Sequence, residues 1–452
     1  MVSGKYAIYL LCFFMSLVVN AQQRQIKKGN QAFDDLAYAE AILYYEEAYL
    51  KGDRSKQLHQ NIADSYFYMS KFDEAMFWYK KLIIAYSGEI NEEYIDRYAY
   101  CLMTLNEYKE ANMILKHLNS KKSTSTDPDL GYLNDIEDLS GRFSVENFSC
   151  NSEYSDYAPC VRGDEVVFSS SRDKGIFIEE IHQWNNEPFL DLYSTKANGT
   201  TGVHKLKGKV NSKFHESSAT FSKDHNTVYF TRTNYFKGKK GVSEEGYVLL
   251  NIYKASFING KWDDIQKVSF NSDEYSVSHP SLSSDGRYLY FASDMPGGYG
   301  DTDLYVVEIN DRGEFSKPKN LGSDINTQDK ETFPFISDSG RLFFASNGHK
   351  GLGGLDIFMA YNDQSGKINV ENLGKPINSS LDDFTFVIRE EQGTGYFASN
   401  RPGGKGGDDI YQFKQLESLP ENYPSLRIKK SIMKQVFIPD LNIDSENKIT
   451  SF

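Results

Sequence analysis

Five copies of one short pattern constrain this chain more than any other feature of its sequence. The pattern is an acidic or amide residue followed by two apolar residues, and its copies begin at Asp191, Asn251, Asp303, Asp356 and Asp409. The copies lie 60, 52, 53 and 53 residues apart. An apolar run that ends in Phe precedes each copy, so the repeating unit is a multi-stranded sheet. A repeat of this kind predicts a binding surface before it predicts an enzyme.

Each unit has the same order of strands and turns. A first strand leads through a turn such as Ser284–Arg287 into the strand that ends in Phe, and a glycine-rich loop then leads into the acidic triplet. A fourth, outer strand follows in most units. The order resembles the WD40-like repeats of periplasmic propeller proteins, whose S-x-D-G-x-x-L-Y-F-x-S pattern is most complete at Ser283–Ser293. The resemblance implies a five-bladed β-propeller.

The last unit has no outer strand of its own after Tyr411. Residues Phe143–Phe148, which precede the first unit, match an outer strand by position. Pairing of this segment with the last unit would close the ring and leave no open edge. We therefore expect residues 143–148 to belong to the fifth blade.

The N-terminal part has a different period. Ala41, Ala75 and Ala111 are 34 and 36 residues apart, each within a helical pattern of small and aromatic residues. This pattern resembles the tetratricopeptide repeat, in which small residues let two antiparallel helices touch. The fold class predicted for the chain is thus multidomain α + β, with a tetratricopeptide solenoid followed by a five-bladed propeller.

The first residues indicate export. Lys5 is followed by an uncharged apolar stretch and by Val19-Asn20-Ala21, the pattern of a secretory signal peptide, although an uncut membrane anchor is the alternative. The predicted organisation is a signal peptide at 1–21, three tetratricopeptide repeats at 22–118, a linker and capping helix at 119–140, a propeller at 141–415 and a C-terminal tail at 416–452. We expect the protein in the periplasm, associated with the outer membrane.

Charge and cysteine content exclude several kinds of partner. The formal net charge is −13, and removal of Lys5 with residues 1–21 makes it −14, so nucleic acid is not expected as a partner. Cys101, Cys150 and Cys160 remain and form no CxxC pair, so no zinc site is indicated. Cys150 and Cys160 are either bonded to each other or buried free thiols. No cofactor is expected.

Two sets of candidate binding residues follow from the repeats. The resemblance to tetratricopeptide proteins implies a concave partner-binding face, made of aromatic, amide and acidic residues. The aromatic residues are explained at least as well by packing between helices. These residues are Asn30, Phe33, Asp64, Phe67, Asp96 and Tyr100. In the propeller, Arg172, Arg232 and Arg401 follow second strands. They are either solvated loop charges, salt-bridge partners of a neighbouring blade, or ligands of an anion.

The repeated acidic position has two interpretations. Carboxylates beside glycine-rich loops can hold calcium, and the close pairs Asp408-Asp409 and Asp301–Asp303 are where a metal would sit. One copy per blade places the carboxylates far apart, however, whereas a calcium ion takes 6–8 oxygens. The sequence therefore favours a structural role, in which each Asp accepts backbone N–H bonds from the preceding loop. No metal site is predicted.

The order of domains and the missing catalytic motifs lead to a functional prediction. No G-x-S-x-G or H-E-x-x-H motif occurs, so the chain is predicted not to be an enzyme. Signal peptide, tetratricopeptide repeats and propeller resemble the front of OmpA-family proteins of Bacteroidota, some of which work with type IX secretion and gliding machinery. The family's peptidoglycan-binding domain has no counterpart here, so peptidoglycan contact is indirect at most. The resemblance implies a scaffold for envelope or outer-membrane proteins. The alternative is a propeller that binds a glycan or small ligand.

Overall fold

The computed structural model describes residues 23–121, 131–173, 181–182, 184, 187–197, 202–363, 365–417 and 437–438. The predicted signal peptide, residues 122–130 of the predicted linker and most of the predicted tail lie outside these residues. The chain divides into two compact units, a helical one and a propeller, which are considered separately below. Within the described residues, no helix is long and apolar enough to cross a membrane.

Six helices form the repeat in the first unit. They are α1 (23–34), α2 (Tyr38–Leu50), α3 (Lys56–Tyr68), α4 (Phe72–Ala85), α5 (Glu92–Thr104) and α6 (Tyr108–Lys121). A residue with positive φ ends the first helix of each pair: Leu36, Ser70 and Asn106. Such a residue closes a helix and turns the chain back. The helices are thus arranged as three helix–turn–helix pairs, consistent with a helical repeat.

Small residues set the distance between the paired helices, as the sequence pattern predicts. Ala41, Ala75 and Ala111 are completely or almost completely buried. Gly29 of α1 lies against the ring of Tyr45, and a Cβ atom at this glycine would come within 2.6 Å of the ring. Larger residues at these positions would push the helices apart.

Five four-stranded antiparallel sheets form the second unit, so the predicted five-bladed propeller is confirmed. Blade one consists of β2 (Asp156–Arg162), β3 (Glu165–Ser170), β6 (Asp191–Lys196) and β7 (His204–Lys205). Blade two consists of β8 (Glu216–Phe221), β9 (Thr227–Thr233), β12 (Leu250–Ile258) and β13 (Lys261–Lys267). Blade three consists of β14 (Val277–Leu282), β15 (Tyr288–Ser293), β16 (Asp303–Glu308) and β18 (Lys319–Asn320). Blade four consists of β19 (Glu331–Ile336), β20 (Leu342–Ser346), β21 (Asp356–Asn362) and β22 (Ile368–Asn372).

Blade five is built from both ends of the propeller sequence. Its strands are β23 (Asp383–Arg389), β24 (Thr394–Ser399), β25 (Asp409–Gln415) and, at the outer edge, β1 (Phe143–Asn147). Phe143 lies opposite Gln415 and Asn147 opposite Tyr411 in an antiparallel register. The predicted closure by residues 143–148 is confirmed for residues 143–147. Because the outer strand of the last blade comes from the start of the propeller sequence, this pairing joins the two ends of the ring.

Short elements lie outside the four-stranded sheets. They are α7 (Tyr132–Asp138) and the pairs β4 (Ile181–His182) with β5 (Glu187–Pro188), β10 (Tyr235–Phe236) with β11 (Lys239–Lys240), and β17 (Phe315–Ser316) with β26 (Phe437–Ile438). Helix α7 belongs to the propeller unit. Just after it, the Ser140 hydroxyl accepts a hydrogen bond from the Lys375 N–H of blade four at 2.9 Å. The capping role expected for this helix stays a prediction.

The propeller core consists of apolar layers between neighbouring blades. Blades one and two, for example, enclose Val167, Phe230, Tyr253 and Trp262. Equivalent layers separate each of the other neighbouring pairs, including blade five from blade one. Every blade is therefore apolar on both faces, which explains why its strands read as nearly continuous apolar runs.

An asparagine before each inner strand joins neighbouring blades. Its side-chain amide bonds both the N–H and the C=O of the middle residue of the preceding triplet, as a β-strand would. Asn378, for example, accepts from Ile357 N and donates to Ile357 O, each at 2.8 Å. The five asparagines are Asn151, Asn211, Asn271, Asn326 and Asn378. Asn151 bonds Ile410, so this link also crosses the closure of the ring.

Candidate ligand site in the propeller channel

A cavity of about 640 Å³ occupies the centre of the propeller. It is lined by the innermost strands β2, β8, β14, β19 and β23, which contact one another in a closed ring. The volume lies within the range of small-molecule sites. Since each strand contributes residues from a different fifth of the sequence, the site exists only when the ring is closed.

Each inner strand contains a β-bulge at the same place. The bulge residue has positive φ although none of the five is glycine: Ala158, Ser218, His279, Phe333 and Thr385. The register of pairing with the second strand shifts at each of these points. A left-handed residue other than glycine costs about 1–2 kcal/mol. Such strain is typical of functional sites, where the surrounding fold maintains it.

The bulges form the closed end of the cavity. Lining residues begin at the bulge residue of each strand and continue to the turns at Gly163, Lys223, Ser284, Asp338 and Glu391. The residues just before the bulges do not line the cavity. The channel is therefore a funnel that opens on the side of these turns and ends at the bulges.

Side chains next to the axis form a collar at this closed end. The imidazole of His279 lies 3.8 Å from the ring of Phe333, Phe333 lies 5.2 Å from Phe384, and Phe384 lies 5.9 Å from Tyr157, all between ring centroids. On the other side, Nδ1 of His279 is 2.8 Å from Oγ of Ser218. The collar thus includes one residue from each blade.

The collar is neutral. Burial lowers the pKa of His279 to about 3, so its imidazole is uncharged at neutral pH. His279 is nevertheless only half-buried, and it lines the channel. The charged lining residues all lie toward the mouth: Lys223, Asp338, Arg389 and Glu391. The funnel therefore changes from charged at the mouth to uncharged at the bottom.

The three predicted propeller arginines lie within hydrogen-bond networks of their own blades. Arg172 donates to Asp156 at 2.6 Å, Arg232 to Glu216 at 2.7 Å, and Arg401 to Asp383. Each also donates to backbone carbonyls before the inner strand, for example Arg232 to Lys209 and Val210 at 2.8 and 2.9 Å. Each arginine thus forms a salt bridge, but within its own blade and not to a neighbouring blade as the sequence analysis expected. Anion binding by these residues stays a prediction.

The acidic partners were not found by sequence reasoning. Asp156, Glu216, Glu331 and Asp383 each lie two residues before a bulge and are completely buried. Each accepts the backbone N–H of a Ser or Thr four residues earlier. In blade four Glu331 accepts hydroxyl bonds from Thr327 and Ser346, both 2.7 Å, and burial raises its pKa. The recurring Asn-Ser or Asn-Thr before each inner strand was the available signal.

The repeated triplet acid has the predicted structural role in two blades. Asp303 accepts from the N–H groups of Tyr299 and Gly300 at 2.6 and 3.1 Å, and Asp409 from those of Lys405 and Gly406 at 2.6 and 3.0 Å. In blade one, Lys205 lies 2.5 Å from Asp191. Within the described residues, no three His, Cys, Asp or Glu side chains are grouped so that they could hold a metal ion.

At least five of the six predicted concave-face residues of the helical repeat are engaged in packing or hydrogen bonds. Asn30 accepts from the Tyr45 hydroxyl at 2.9 Å, and Asp64 from the Tyr79 hydroxyl at 2.6 Å. Asp64 also pairs with Arg97, a cation that the sequence analysis missed, at 2.6 Å. Among the other predicted residues, Phe33 contacts Tyr38, Phe67 contacts Tyr100, and Asp96 is exposed. Partner binding by these six residues stays a prediction.

A different row of residues on the helices is apolar and exposed. Leu43, Phe77 and Met113 are 64%, 51% and 64% exposed, and each lies two residues after one of the repeated alanines. They therefore occupy the same position on α2, α4 and α6. Leu50 and Ile84, seven residues further along α2 and α4, extend the row and are also exposed. The sequence analysis did not single these residues out.

The structure also clarifies the cysteines. Cys101, Cys150 and Cys160 are all free thiols. Cys160 lines the channel, and burial raises its pKa to about 12. Of the two sequence interpretations of Cys150 and Cys160, the free thiols are therefore the correct one.

Several solved propellers are similar to this chain. TolB from Acinetobacter baumannii matches with 13% identity over 60% of this chain and 56% of its own, with a TM-score of 0.32. An α-L-arabinofuranosidase from Lactobacillus brevis matches with 11% identity over 63% of this chain and 98% of its own, with a TM-score of 0.41. A xylan β-1,4-xylosidase from Bacillus halodurans matches with 14% identity over 67% and 61%, with a TM-score of 0.36. No protein-family model matches the sequence, and no curated protein does.

These comparisons correct one prediction and limit another. The prediction that the chain is not an enzyme is wrong as an exclusion, because the similar propellers include glycoside hydrolases and puromycin hydrolase. Their low identities and TM-scores assign no activity to this chain. The family resemblance is supported only as a five-bladed propeller with TolB-like neighbours. The comparisons add no support for tetratricopeptide repeats, a Bacteroidota origin or type IX secretion.

Proposed function

We propose that this chain is a binding protein whose propeller channel is a ligand site. The observation that carries the proposal is the funnel of about 640 Å³ that ends at five strained bulge residues. The apolar layers lie between the blades, whereas the strained residues lie at one position of every inner strand, on the wall of the channel. They therefore shape the surface where a ligand would bind.

Closing the mouth of the funnel tests this proposal. Lys223 and Ser284 are exposed residues at the mouth, so Lys223→Trp with Ser284→Trp should block entry without disturbing the core. We expect a library of small metabolites, assayed by thermal shift and by saturation-transfer NMR, to yield ligands of the natural sequence that the double variant does not bind. Lys261→Trp, an exposed change on the outer strand of blade two, is the control. Equal binding by the blocked variant would exclude the channel as the site.

The second candidate function is a scaffold for envelope proteins, in the periplasm and near the outer membrane. It is supported by the leader-like start of the sequence, by the family resemblance and by the exposed apolar row at Leu43, Phe77 and Met113. Apolar residues repeated at one exposed position of a solenoid can make a continuous contact surface.

Crosslinking in intact cells tests the scaffold. We expect crosslinking followed by affinity purification to recover outer-membrane proteins, and expect their loss when Leu43, Phe77 and Met113 are all changed to Ser. The matched control changes three exposed apolar propeller residues, Val242, Tyr247 and Tyr299, to Ser. If the helical variant recovers the same proteins as the natural sequence, the apolar row is not the partner surface. Recovery of cytoplasmic proteins alone would refute the periplasmic location.

A further inference from the structure

We infer that the channel takes a neutral, hydroxyl-bearing small molecule of the sugar class, with one hydroxyl group on Nε2 of His279. This inference rests on the proposed ligand site in the channel and specifies its ligand. Three observations support it. The lining residues deep in the funnel are uncharged, hydrogen-bonding groups lie on its wall, and the Phe333 ring of the collar already contacts two neighbouring rings.

The first observation concerns charge. Below the mouth, the described lining residues are all uncharged, from the bulges to Val161, Phe221, Leu282, Ile336 and Ile388. A carboxylate or ammonium group that reached the collar would lose its hydration without meeting an opposite charge. Such desolvation disfavours binding of a charged group. A group bound at the collar is therefore neutral, which excludes the charged ends of a free peptide.

The second observation concerns His279. Its Nδ1 bonds Ser218 at 2.8 Å, and the Ser218 hydroxyl lies 3.2 Å from that of Ser217. Nε2 has no partner among the described residues, although the ring lines the cavity. Rotation of the two serine hydroxyls lets Nδ1 act as acceptor or donor, and Nε2 takes the opposite role. A ligand hydroxyl, which both donates and accepts, satisfies either arrangement.

Two further hydroxyl groups on the wall complete the site. Oγ1 of Thr220 accepts the Leu282 N–H at 3.2 Å, and Oγ of Ser281 accepts the Ile336 N–H at 3.0 Å. A hydroxyl has one donor besides its acceptor positions, and neither O–H group meets an acceptor in the described part of the chain. Both residues line the cavity. The wall therefore offers hydrogen-bond donors to a ligand rich in oxygen acceptors.

The third observation concerns the aromatic rings. Phe333 lies between His279 and Phe384, with centroid distances of 3.8 and 5.2 Å, and both contacts are tilted stacks. Phe333 therefore already contacts two neighbouring rings, which leaves it less available to stack on a flat aromatic ligand. Recognition beside His279 thus favours the hydrogen bonds of a polyol.

Calorimetry and saturation-transfer NMR on the full chain test the inference with matched sugars. Glucose, N-acetylglucosamine and maltose are the neutral compounds, while glucuronate and glucosamine keep the ring and add one charge. We expect at least one neutral sugar to bind and its charged counterpart to bind at least tenfold more weakly. His279→Phe keeps a ring beside Phe333 but removes Nε2, so it should weaken binding tenfold or more.

A matched control variant is available away from the cavity. His204 is exposed on the outer strand of blade one and does not line the cavity, so His204→Phe makes the same chemical change outside the proposed site. It should change affinity less than threefold. Ser218→Ala leaves the imidazole in place and removes its partner, and it should weaken binding three- to tenfold. This variant keeps the inference testable if His279→Phe does not fold.

Failure of the inference differs from failure of the proposed function. Equal binding of neutral and charged sugars, or full affinity in both His279→Phe and Ser218→Ala, would overturn the inference. So would binding of other library compounds but of no sugar, provided that the mouth-blocked variant loses them, and in that case the channel would remain a ligand site. Ligands that the blocked variant retains would overturn the proposed function itself.

Discussion

The pair of Arg232 and Glu216 offers the sharpest test of how the inner strands are held. Arg232 is 5% exposed and Glu216 is completely buried, and the guanidinium donates to the carboxylate at 2.7 Å and to two backbone carbonyls. Arg232→Met removes all three bonds and leaves Glu216 in the interior. Removing one partner of a buried pair typically costs about 3–5 kcal/mol. For a domain of this size, that corresponds to a fall in Tm of roughly 6–20 °C.

The pH dependence of this loss follows from Glu216. Burial raises the pKa of Glu216 to about 7, against the opposing effect of Arg232. Since the folded pKa lies above the ordinary value of 4.5, the stability that this group contributes is complete below pH 4.5 and is lost as pH rises through 7. Without Arg232 the pKa rises further and the loss continues above pH 7. The deficit of the variant should therefore be larger at pH 8 than at pH 6.

Urea denaturation followed by circular dichroism at pH 6 and 8 measures both effects. The double variant Arg232→Met with Glu216→Leu removes both charges, and it should regain at least half of the loss, because an apolar pair can replace a buried ion pair. Lys196→Met breaks an exposed pair with Asp164 and should shift Tm by less than about 2 °C. The reasoning is refuted if Arg232→Met costs less than about 1 kcal/mol at pH 8, or if the double variant is no more stable than the single one.

Three further changes test the closure, the asparagine links and the acidic triplet. Phe143→Ala removes a buried ring that lies 5.4 Å from that of Phe413, and it should lower the unfolding free energy by about 3–5 kcal/mol in urea titration, whereas the exposed Ser144→Ala should have little effect. Asn378→Ala leaves the N–H of Ile357 unpaired and removes one of the two bonds to its C=O, which also accepts from the Leu373 N–H at 3.1 Å. The change should cost about 1–3 kcal/mol by the same measurement, with Asn369→Ala as the milder control. Asp303→Ala removes the acceptor of two loop N–H groups and should lower Tm measurably. EDTA should leave the Tm of the natural sequence unchanged. A fall in Tm of several degrees with EDTA would instead support the calcium interpretation.

The repeat period was enough to predict the blades and their closure. Triplets such as Asp303-Leu304-Tyr305 are local in sequence, and their strands bury apolar residues on both faces, so the pattern shows directly in the chain. The outer strand Phe143–Asn147 was predictable because the last blade had no outer strand of its own after Tyr411. The segment before the first blade matched an outer strand by position and was not otherwise assigned. Both inferences needed only counting along the sequence.

The channel could not be predicted in the same way. Ala158, Ser218, His279, Phe333 and Thr385 share a backbone conformation but no side-chain chemistry, and none is the glycine that usually indicates positive φ. Arg232 shows a related difficulty. It lies two residues after the Phe of its strand, whereas Arg172 and Arg401 lie four residues after theirs. Each of the three nevertheless reaches the buried acid at the equivalent position of its own blade. Side-chain length compensates for the shift in position, which no spacing rule would show.

The bulges connect these observations. Each one turns the inner strand away from regular pairing and frees a peptide group, and in blade three the freed N–H of His279 donates to Oγ1 of Thr231 in blade two at 2.8 Å. The buried acid two residues earlier, present in four blades, binds the incoming loop and so fixes where the bulge begins. The five left-handed bulge residues cost roughly 1–2 kcal/mol each. Their summed backbone strain is large if their only role is to close the ring of blades. The apolar layers between the blades offset it, and the result is a wall whose hydrogen-bonding groups are fixed before any ligand arrives.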